Sequence, residues 1–322
     1  MKIVIPGGTG QVGTLLARAM AADGHTVTVL SRRAESHAAG RWRTVAWDAR
    51  TLGEWAREID GADVVINMAG RSVDCRYTPA NRKAIFDSRV DSTRAVGQAI
   101  ARAERPPRVW LQASTATVYA HRYDSPNDEA SGVIGGSEPG APDTWRFSID
   151  VVKQWEQAAN EAATPQTRKV LLRSAMTMSP DRGGVFDTLL RLVRFGLGGQ
   201  SGDGRQYVSW IHGRDFVRAV YFLIGREDIS GAVNLSSPNP VPNARFMREL
   251  REAWGTRIGL PASNWMLEMG AFFLRTETEL ILKSRRVTPG RMLDAGFCFE
   301  FPEWAGAALD LCERWRARGP KP

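Results

Sequence analysis

The sequence is poor in the residues that build disulfide scaffolds and metal sites. Its 322 residues include only three cysteines and four histidines. Cys75, Cys298 and Cys312 are an odd number at wide spacing, which excludes a disulfide framework and matches no zinc pattern. We therefore expect a protein of a reducing cytoplasm that holds no metal.

Long apolar runs are also missing. The chain enters its first predicted strand at once, so we expect no signal peptide. The most apolar late stretch, residues 265–274, is too short to span a bilayer and contains Glu268. We therefore expect a cytoplasmic protein with no membrane partner.

Acidic residues are fewer than basic ones, with 35 Asp and Glu against 43 Lys and Arg and a formal net charge of +8. A nucleic-acid-binding protein would need this charge in a clustered patch or a recognisable reading motif. The arginines are instead scattered, and many alternate with acids. We expect no nucleic-acid partner, and a phosphate-bearing ligand would explain part of the excess.

What the sequence does contain is a glycine-rich turn behind a short apolar run. Residues 3–5 (Ile-Val-Ile) predict a strand buried on both faces, and Gly7, Gly10 and Gly13 follow at G-x-x-G-x-x-G spacing. The first glycine permits a tight turn, the second lets backbone approach a pyrophosphate, and the third lets a helix pack against the strand. The positive end of a helix over residues 11–23 would then meet the phosphates. The pattern predicts dinucleotide binding, with a turn that holds no ligand as the alternative.

The end of the next predicted strand indicates which dinucleotide is bound. Residues 26–30 are a β-branched run, and Ser31, Arg32 and Arg33 follow it. NAD sites carry Asp or Glu at this point for the ribose 2′-hydroxyl, whereas arginine accommodates a 2′-phosphate. We interpret the pattern as an NADP(H) site; two solvated loop arginines are the alternative.

Strands and helices alternate along the first 240 residues. Beyond the two strands above, we predict strands over residues 44–47, 62–69, 108–113, 169–173 and 232–235, and helices over 79–102, 144–163 and 189–195. Residues 208–211 should be extended, Asp215 should N-cap a helix through Leu223, and residues 297–301 should form a last short strand. The alternation predicts an α/β Rossmann-type doubly wound parallel sheet with a smaller, mostly C-terminal substrate lobe. We place the NADP(H)-binding domain at residues 1–175, with 205–240 returning to it, and the substrate-side lobe at 176–204 and 241–322.

Four segments, in order, resemble the extended short-chain dehydrogenase/reductase superfamily. They are residues 7–13 (GGTGQVG), 67–70 (NMAG), 114–119 (STATVY) and 210–215 (WIHGRD). Within it the chain is similar to the atypical nucleoside-diphosphate-sugar epimerase-like subfamily. The features that carry this are Ser88-Arg89-Val90, Trp155-Glu156, residues 179–184 and 198–206, and a C-terminal module of unknown function around 286–289 and 295–297. The resemblance covers nearly the whole chain.

The residues predicted to bind the cofactor lie in the glycine turn and at strand ends. They are Gly7, Gly10, Gln11, Val12, Gly13, Ser31, Arg32, Arg33, Ala69, Gly70, Arg89 and Ser114. The resemblance also places Thr115 where enzymes of the superfamily hydrogen-bond the substrate oxygen. Arg89 stands where many extended members carry Asn.

The resemblance fails at the catalytic Tyr and Lys, which the superfamily places at i, i+4 on one helix face. Counting back from Glu156 puts Ser148 at the tyrosine position and Val152 at the lysine position. A shift of one residue, to use Lys153, puts Ile149 at the tyrosine position. Neither register supplies a phenol, and a serine hydroxyl is too weak an acid to replace one.

Other side chains are candidates for a proton donor or a substrate contact. Tyr119 or Tyr123 could supply a displaced phenol and His121 an imidazole; packing for Tyr119 and a solvated loop for the other two are the alternatives. We expect a structural hydrogen bond from His212. The substrate-side candidates are Arg173, Arg205 and Gln206, with a structural role for Arg173 and a solvated turn for the other two as alternatives.

These observations leave two functions open. The first is an NADP(H)-dependent oxidoreductase or epimerase that acts on a small carbonyl or sugar-like substrate through Thr115 and a non-standard donor or water. The second is a non-catalytic NADP(H)-binding protein, without a substrate, in redox sensing, structure or assembly. We also allow for a homodimer.

Overall fold

The computed structural model of the protein describes residues 1–33, 41–262 and 283–318. The apolar stretch at residues 265–274 lies outside this part of the chain. Among the helices that are described, none is long and apolar enough to cross a membrane.

The described strands fall close to the predicted ones. In chain order they are β1 (Lys2–Pro6), β2 (Thr26–Ser31), β3 (Arg43–Ala46), β4 (Val64–Asn67), β5 (Val109–Thr115), β6 (Arg168–Ser174), β7 (Met176–Met178), β8 (Tyr207–Val208), β9 (Trp210–His212), β10 (Gly231–Leu235) and β11 (Val241–Pro242). The extended segment predicted at residues 208–211 is divided, because β8 pairs with β11 whereas β9 pairs with β7.

The described helices begin and end near the predicted positions in the first half of the chain. They are α1 (Gln11–Ala22), α2 (Pro79–Arg102), α3 (Asp143–Glu161), α4 (Val185–Arg194), α5 (Gly213–Gly225), α6 (Asn243–Trp254), α7 (Gly290–Asp294) and α8 (Trp304–Ala317). The predicted bounds of α2 are confirmed at both ends. Thr78 caps this helix by accepting the Asn81 N–H, and Pro79 occupies its first position.

In the described part of the chain, seven parallel strands form the central sheet in the order β3-β2-β1-β4-β5-β6-β10. The connections run outward from β1 in one direction to β3 and in the other from β4. Such a reversal opens a crevice at the carboxyl ends of the strands on either side of it, here β1 and β4. The predicted α/β Rossmann-type sheet is confirmed.

Side chains of β1 alternate between two buried layers. Ile3 and Ile5 belong to a core with Leu16 of α1. Val4 belongs to the core on the opposite face, with Val96 of α2. All three β1 residues are 0% exposed, as a central parallel strand with helices on both faces requires.

A further apolar core, outside the sheet, is formed by α4, α6 and α8. Trp304 is 0% exposed at its centre and stacks on Phe246 with ring centroids 4.0 Å apart. The indole N–H of Trp304 donates to the Phe246 carbonyl at 2.8 Å. Trp304 therefore has a packing role. The boundaries predicted for the substrate-side lobe stay a prediction.

Asp215 does not cap α5, contrary to the prediction. The helix begins at Gly213, and Nδ1 of His212 accepts the Arg214 N–H at 3.1 Å in the N-cap position. The Asp215 carboxylate lies in the first turn and is 0% exposed. It serves instead as an acceptor for a distant segment of the chain.

That segment is residues 297–301, where the predicted strand is wrong: the described backbone there is irregular. The N–H groups of Glu300 and Phe301 both donate to the Asp215 carboxylate at 2.8 Å, so they are not available for a strand ladder. The phenylalanines of this segment make ring contacts. Phe301, for example, stacks on His212 at 3.9 Å.

Candidate cofactor cleft and active site

The glycine turn after β1 is a point of close backbone approach. Gly7 has a φ of +74°, and a Cβ added to it would lie 2.6 Å from the Cα and N atoms of Ala69, just after β4. A Cβ on Gly13 would lie 2.6 Å from the Cα of Gly8. Both positions therefore require glycine, and the turn brings β1, α1 and the end of β4 together.

The amino terminus of α1 faces this turn without a side-chain cap. Gly10 is the N-cap residue, and the first turn of the described helix contains no acidic residue. The N–H groups of Gln11, Val12 and Gly13 have no acceptor within the helix, because the first N–H groups of any helix lack one. Together with the positive end of the helix dipole they form a site suited to an anion such as a diphosphate.

A cavity of about 610 Å³ adjoins the same helix end. Its walls come from α1 and its preceding turn, Trp42, and the loop after β7; they are Thr9, Gln11, Thr14, Arg18, Trp42, Asp181, Arg182 and Gly183. The amide nitrogen Nε2 of Gln11 is buried there without a hydrogen-bond partner in the described part of the chain. A Cβ on Gly184 would lie 1.8 Å from that nitrogen, so the loop approaches Gln11 as closely as glycine allows. A buried amide without an acceptor fits a bound phosphate oxygen.

The end of β2 is tied to the glycine turn by Ser31. Its hydroxyl lies 3.3 Å from Thr9 Oγ1 and accepts the Arg33 N–H at 3.2 Å. The side chains of Arg32 and Arg33 are exposed. Neither guanidinium pairs with a carboxylate of another described residue. Within the described part of the chain, no carboxylate therefore competes for the two guanidinium groups at this strand end.

Arg89 of α2 occupies the other side of the turn. A Cβ on Gly70 would lie 3.4 Å from its Cζ atom, and the guanidinium lies 5.1 Å from the Trp155 ring. One nitrogen donates to the Ile85 carbonyl at 3.1 Å. Burial in the cleft lowers the pKa of Arg89 to about 10, so it is still charged at neutral pH. No carboxylate of a described residue pairs with the Arg89 guanidinium. This half-buried cation therefore favours an anionic ligand.

Thr115, the predicted contact to the substrate oxygen, lies at the end of β5. Its Oγ1 accepts the Thr117 N–H at 3.3 Å and lies 3.2 Å from Thr117 Oγ1. In this way it caps the single turn Ala116–Val118. The residue as a whole is half-buried. Its predicted role stays a prediction.

Helix α3 does not present a phenol in either register. Ser148 is half-buried, whereas Val152 is buried against Val118 and Tyr119. Ile149 is 0% exposed, and Lys153 is exposed to solvent. The helix face that carries the proton relay in related enzymes is therefore largely apolar here.

A largely buried ion pair lies beside this face, its two side chains 13% and 12% exposed. Arg173 donates through Nε and Nη2 to the two carboxylate oxygens of Glu156, both at 2.8 Å. Ser114, which neighbours Arg173 across β5 and β6, donates to the same carboxylate at 2.6 Å. Burial alone would lower the pKa of Arg173, but the Glu156 carboxylate outweighs it and raises that pKa. These contacts favour a structural role for Arg173 over a substrate contact, and they occupy the hydroxyl of Ser114.

Tyr119 continues the same network. Its phenol accepts from Arg173 Nη1 and donates to Asn234 Oδ1, each at 3.0 Å. The backbone N–H of Asn234 in turn donates to Glu129 at 2.7 Å. Burial raises the pKa of Tyr119. A phenol held on both sides at 2% exposure is a poor proton donor to a substrate.

The remaining substrate-side candidates lie in the glycine-rich loop after α4. Gln206 is buried, and its side chain donates to the Ser201 carbonyl at 2.8 Å. Arg205 is exposed, with its guanidinium 5.8 Å from the ring of Tyr123, which is 39% exposed. Arg205 could therefore still reach a ligand, while the carboxamide of Gln206 shapes the loop.

His212 makes the structural hydrogen bonds expected of it. Besides capping α5 it contacts Asp310 through Nε2 at 3.0 Å. Burial lowers the pKa of His212 to about 4. It is therefore neutral at physiological pH and part of the fold.

Comparison with known proteins places these features in context. Residues 3–236 match the NAD dependent epimerase/dehydratase family, and residues 262–311 match a domain of unknown function, DUF1731. An epimerase family protein, SDR39U1 of Bos taurus, is 31% identical over 313 residues, which is 96% of this chain and 98% of the relative.

Solved structures share the fold over nearly the whole chain. The crystal structure of human epimerase family protein SDR39U1 (isoform 2) with NADPH matches with a TM-score of 0.84 at 28% identity, over 97% of this chain and 99% of that chain. A UDP-N-acetylglucosamine 4-epimerase from Bacillus cereus matches with a TM-score of 0.74 at 18% identity, over 100% and 99% of the two chains. The second likeness concerns the fold alone.

Proposed function

This chain belongs to the NAD dependent epimerase/dehydratase family, and on that premise we propose that it is an NADP(H)-binding oxidoreductase or epimerase-like protein. Its substrate would be a small carbonyl or sugar-like molecule. The observation that carries the proposal concerns groups around the glycine turn that lack a partner of the expected kind among the described residues. In that part of the chain Gln11 Nε2 has no acceptor, and the guanidinium groups of Arg32, Arg33 and Arg89 pair with no carboxylate.

The choice of NADP(H) over NAD(H) rests on the end of β2. Arg32 and Arg33 stand where an acid would accept from a ribose 2′-hydroxyl, and guanidinium groups suit a 2′-phosphate. The human relative that shares this fold was crystallised with NADPH. Both observations support the same cofactor.

Different residues of the chain would bind different parts of the cofactor. The N–H groups of Gln11, Val12 and Gly13 would bind the diphosphate, while Gly7 and Gly10 let the backbone approach it. Ala69, Gly70 and Arg89 would line the side of the cleft beyond β4. When bound, NADPH supplies a hydride for a carbonyl carbon.

Thr115 would orient the substrate. This half-buried residue lies at the carboxyl end of β5, at the edge of the sheet where ligands bind in this class of fold. A donor at that point polarises a carbonyl oxygen. Ser114 would support the site from behind, through Glu156, rather than contact the cofactor directly.

A second function, non-catalytic NADP(H) binding, is favoured by one specific observation. The positions on α3 that would carry the Tyr and Lys hold Ser148 and Val152, and Val152 is buried in an apolar cluster. A cofactor site without a proton relay suits a role in redox sensing, structure or assembly.

One measurement tests the cofactor that both functions share, and a second separates the two functions. Mass spectrometry of the nucleotide that co-purifies with the protein should find NADP⁺ or NADPH, and an empty or NAD-loaded protein would contradict the cofactor assignment. NADPH oxidation should then be followed against a panel of ketones, aldehydes and keto-sugars. Saturable turnover supports the enzyme, whereas tight NADPH binding with no turnover across the panel supports the binding protein.

A further inference from the structure

We propose that His121 is the hydrogen-bond donor to the substrate oxygen in this active site, and that the C-terminal module holds it in the donating form. The proposal rests on the proposed function, since it assumes a carbonyl substrate near Thr115. It assigns to the module of unknown function a part of the site that α3 does not supply.

The argument begins with residues 283–288, which lie between two parts of the main fold. On one side Asn127 donates its N–H to the Arg286 carbonyl at 2.7 Å, and Thr288 donates to the Asn127 carbonyl at 3.0 Å. On the other side Ser209 Oγ donates to the Arg285 carbonyl at 2.5 Å. The segment is therefore built into the loop that follows β5, and is not a separate appendage.

This segment fixes the tautomer of His121. The backbone N–H of Ser284 donates to Nδ1 of the imidazole at 2.8 Å. A nitrogen that accepts from an N–H carries no proton, so the ring proton of neutral His121 lies on Nε2. Nε2 has no partner in the described part of the chain, yet it is not among the fully buried polar atoms. The N–H on Nε2 is therefore available to a ligand.

The surroundings keep the ring neutral. Burial is the largest influence that lowers the pKa of His121, and the positive charges of Lys283 and Arg285 act in the same direction. The carboxylates of Glu138 and Asp203 oppose them without reversing the result. The Glu138 carboxylate itself accepts hydrogen bonds from the backbone N–H groups of His121 and Gly136. A neutral imidazole can polarise a carbonyl as a hydrogen-bond donor.

The position of the ring matches the gap on α3. Its centroid lies 4.9 Å from that of Trp145, and Trp145 is three residues before Ser148, on the same face of α3. Ser148 is the residue at the missing tyrosine position. His121 therefore stands near the helix face from which a phenol would otherwise approach.

Lys283 links this group to Thr115. Its ammonium donates to the Thr117 carbonyl at 2.9 Å and lies 5.9 Å from the Trp145 ring. Thr117 is the residue that Thr115 caps. Lys283 and Thr115 thus share Thr117 as a neighbour, while Lys283 and His121 share Trp145.

The test uses full-length protein labelled with ¹⁵N-histidine. Long-range ¹H–¹⁵N spectra at neutral pH should show His121 as the Nε2–H tautomer, and a Nδ1–H tautomer would overturn the proposal. Ser284→Ala, which keeps the backbone N–H, should leave the tautomer unchanged. This readout requires no cofactor and no turnover.

Substrate contact is tested with benzoylformate as the carbonyl probe in the presence of NADP⁺, a pair that cannot react. Saturating probe should shift the Nε2 resonance of His121. His121→Gln, which keeps a donor, should hold the probe nearly as well as the wild type, and His121→Phe should weaken it about tenfold. Saturable binding that leaves Nε2 unchanged, or equal affinity in both variants, would overturn the proposal.

Failure of the proposed function would look different. If calorimetry detected no NADP⁺ binding to the wild-type protein, the cofactor assignment would be wrong, while the tautomer result would stand. Absence of probe binding with NADP⁺ bound would overturn the role of His121 toward a carbonyl, while the cofactor assignment stood.

Discussion

The two halves of the cleft treat their polar groups in opposite ways. On the side of the glycine turn, Gln11 Nε2 and the guanidinium groups of Arg32 and Arg33 have no partner among the described residues. On the side of α3, the polar groups form hydrogen bonds with one another, as in the ion pair of Arg173 and Glu156. A buried polar group such as Gln11 Nε2 is costly to leave unpaired, and two adjacent exposed guanidinium groups are suited to a phosphate, so the first half indicates a ligand and the second indicates structure.

The largest loss of stability is expected when the ion pair on the α3 side of the cleft, the paired half, is broken. Glu156→Ala would leave the buried Arg173 guanidinium without its counterion and should lower the free energy of unfolding by about 3–5 kcal/mol. Chemical denaturation measures this loss. Glu54→Ala, which breaks an exposed pair with Arg57, should cost less than about 1 kcal/mol. Similar losses in the two variants would mean that the buried pair is not structural.

Substitutions on the glycine-turn side of the cleft, the unpaired half, should lower cofactor affinity and leave the free energy of unfolding unchanged. Arg32→Ala combined with Arg33→Ala should weaken NADPH about 100-fold, because charge-assisted hydrogen bonds to the 2′-phosphate are removed. NADH, which lacks that phosphate, should be much less affected. Calorimetric titration measures both affinities.

A matched control removes the same charge elsewhere. Arg57 and Arg248 are exposed arginines on the surface, and their double replacement by Ala should leave NADPH affinity unchanged. An equal loss of NADPH and NADH affinity in the Arg32 and Arg33 variant would contradict the assignment of these residues to the 2′-phosphate.

Arg89 tests the same half from the other side of β1. Arg89→Leu should weaken NADPH and NADH alike, each about tenfold, because this residue faces a part of the cleft that both cofactors share. The unfolding midpoint without cofactor should not fall, since the variant removes a desolvated charge that has no counterion. A lower midpoint with normal affinity would make Arg89 a structural residue.

The smallest effect is expected for the phenol in the paired half. Tyr119→Phe leaves Arg173 and Asn234 each short of one partner and should lower stability by about 1 kcal/mol. NADPH affinity should not change. Tyr221→Phe, at a phenol bonded to Asp23 nearer the surface, is the control and should cost less. If Tyr119→Phe instead abolished turnover in an otherwise stable protein, the phenol would be the proton donor.

The unpaired half could be predicted from the sequence because its signals are local. The spacing of Gly7, Gly10 and Gly13 and the arginines after β2 lie within short segments whose geometry follows from one turn or one strand end. The matches to the NAD dependent epimerase/dehydratase family and to its relatives confirm the resemblance drawn from those segments. The individual cofactor contacts are still predictions.

The paired half could not be predicted, because it depends on strand register and helix placement. Asn234, Arg173 and Ser114 become neighbours only when β10, β6 and β5 align, and Glu156 reaches them from α3. The same limitation explains Asp215, whose partners at residues 300 and 301 are distant in sequence. Ser284 and His121 are 163 residues apart, and no local pattern connects them.

The most direct test of the account is a crystal structure of the protein grown or soaked with NADPH. The account predicts the diphosphate at the amino terminus of α1 and the 2′-phosphate between the side chains of Arg32 and Arg33. A groove left empty at saturating NADPH, or filled by the protein's own side chains, would contradict it.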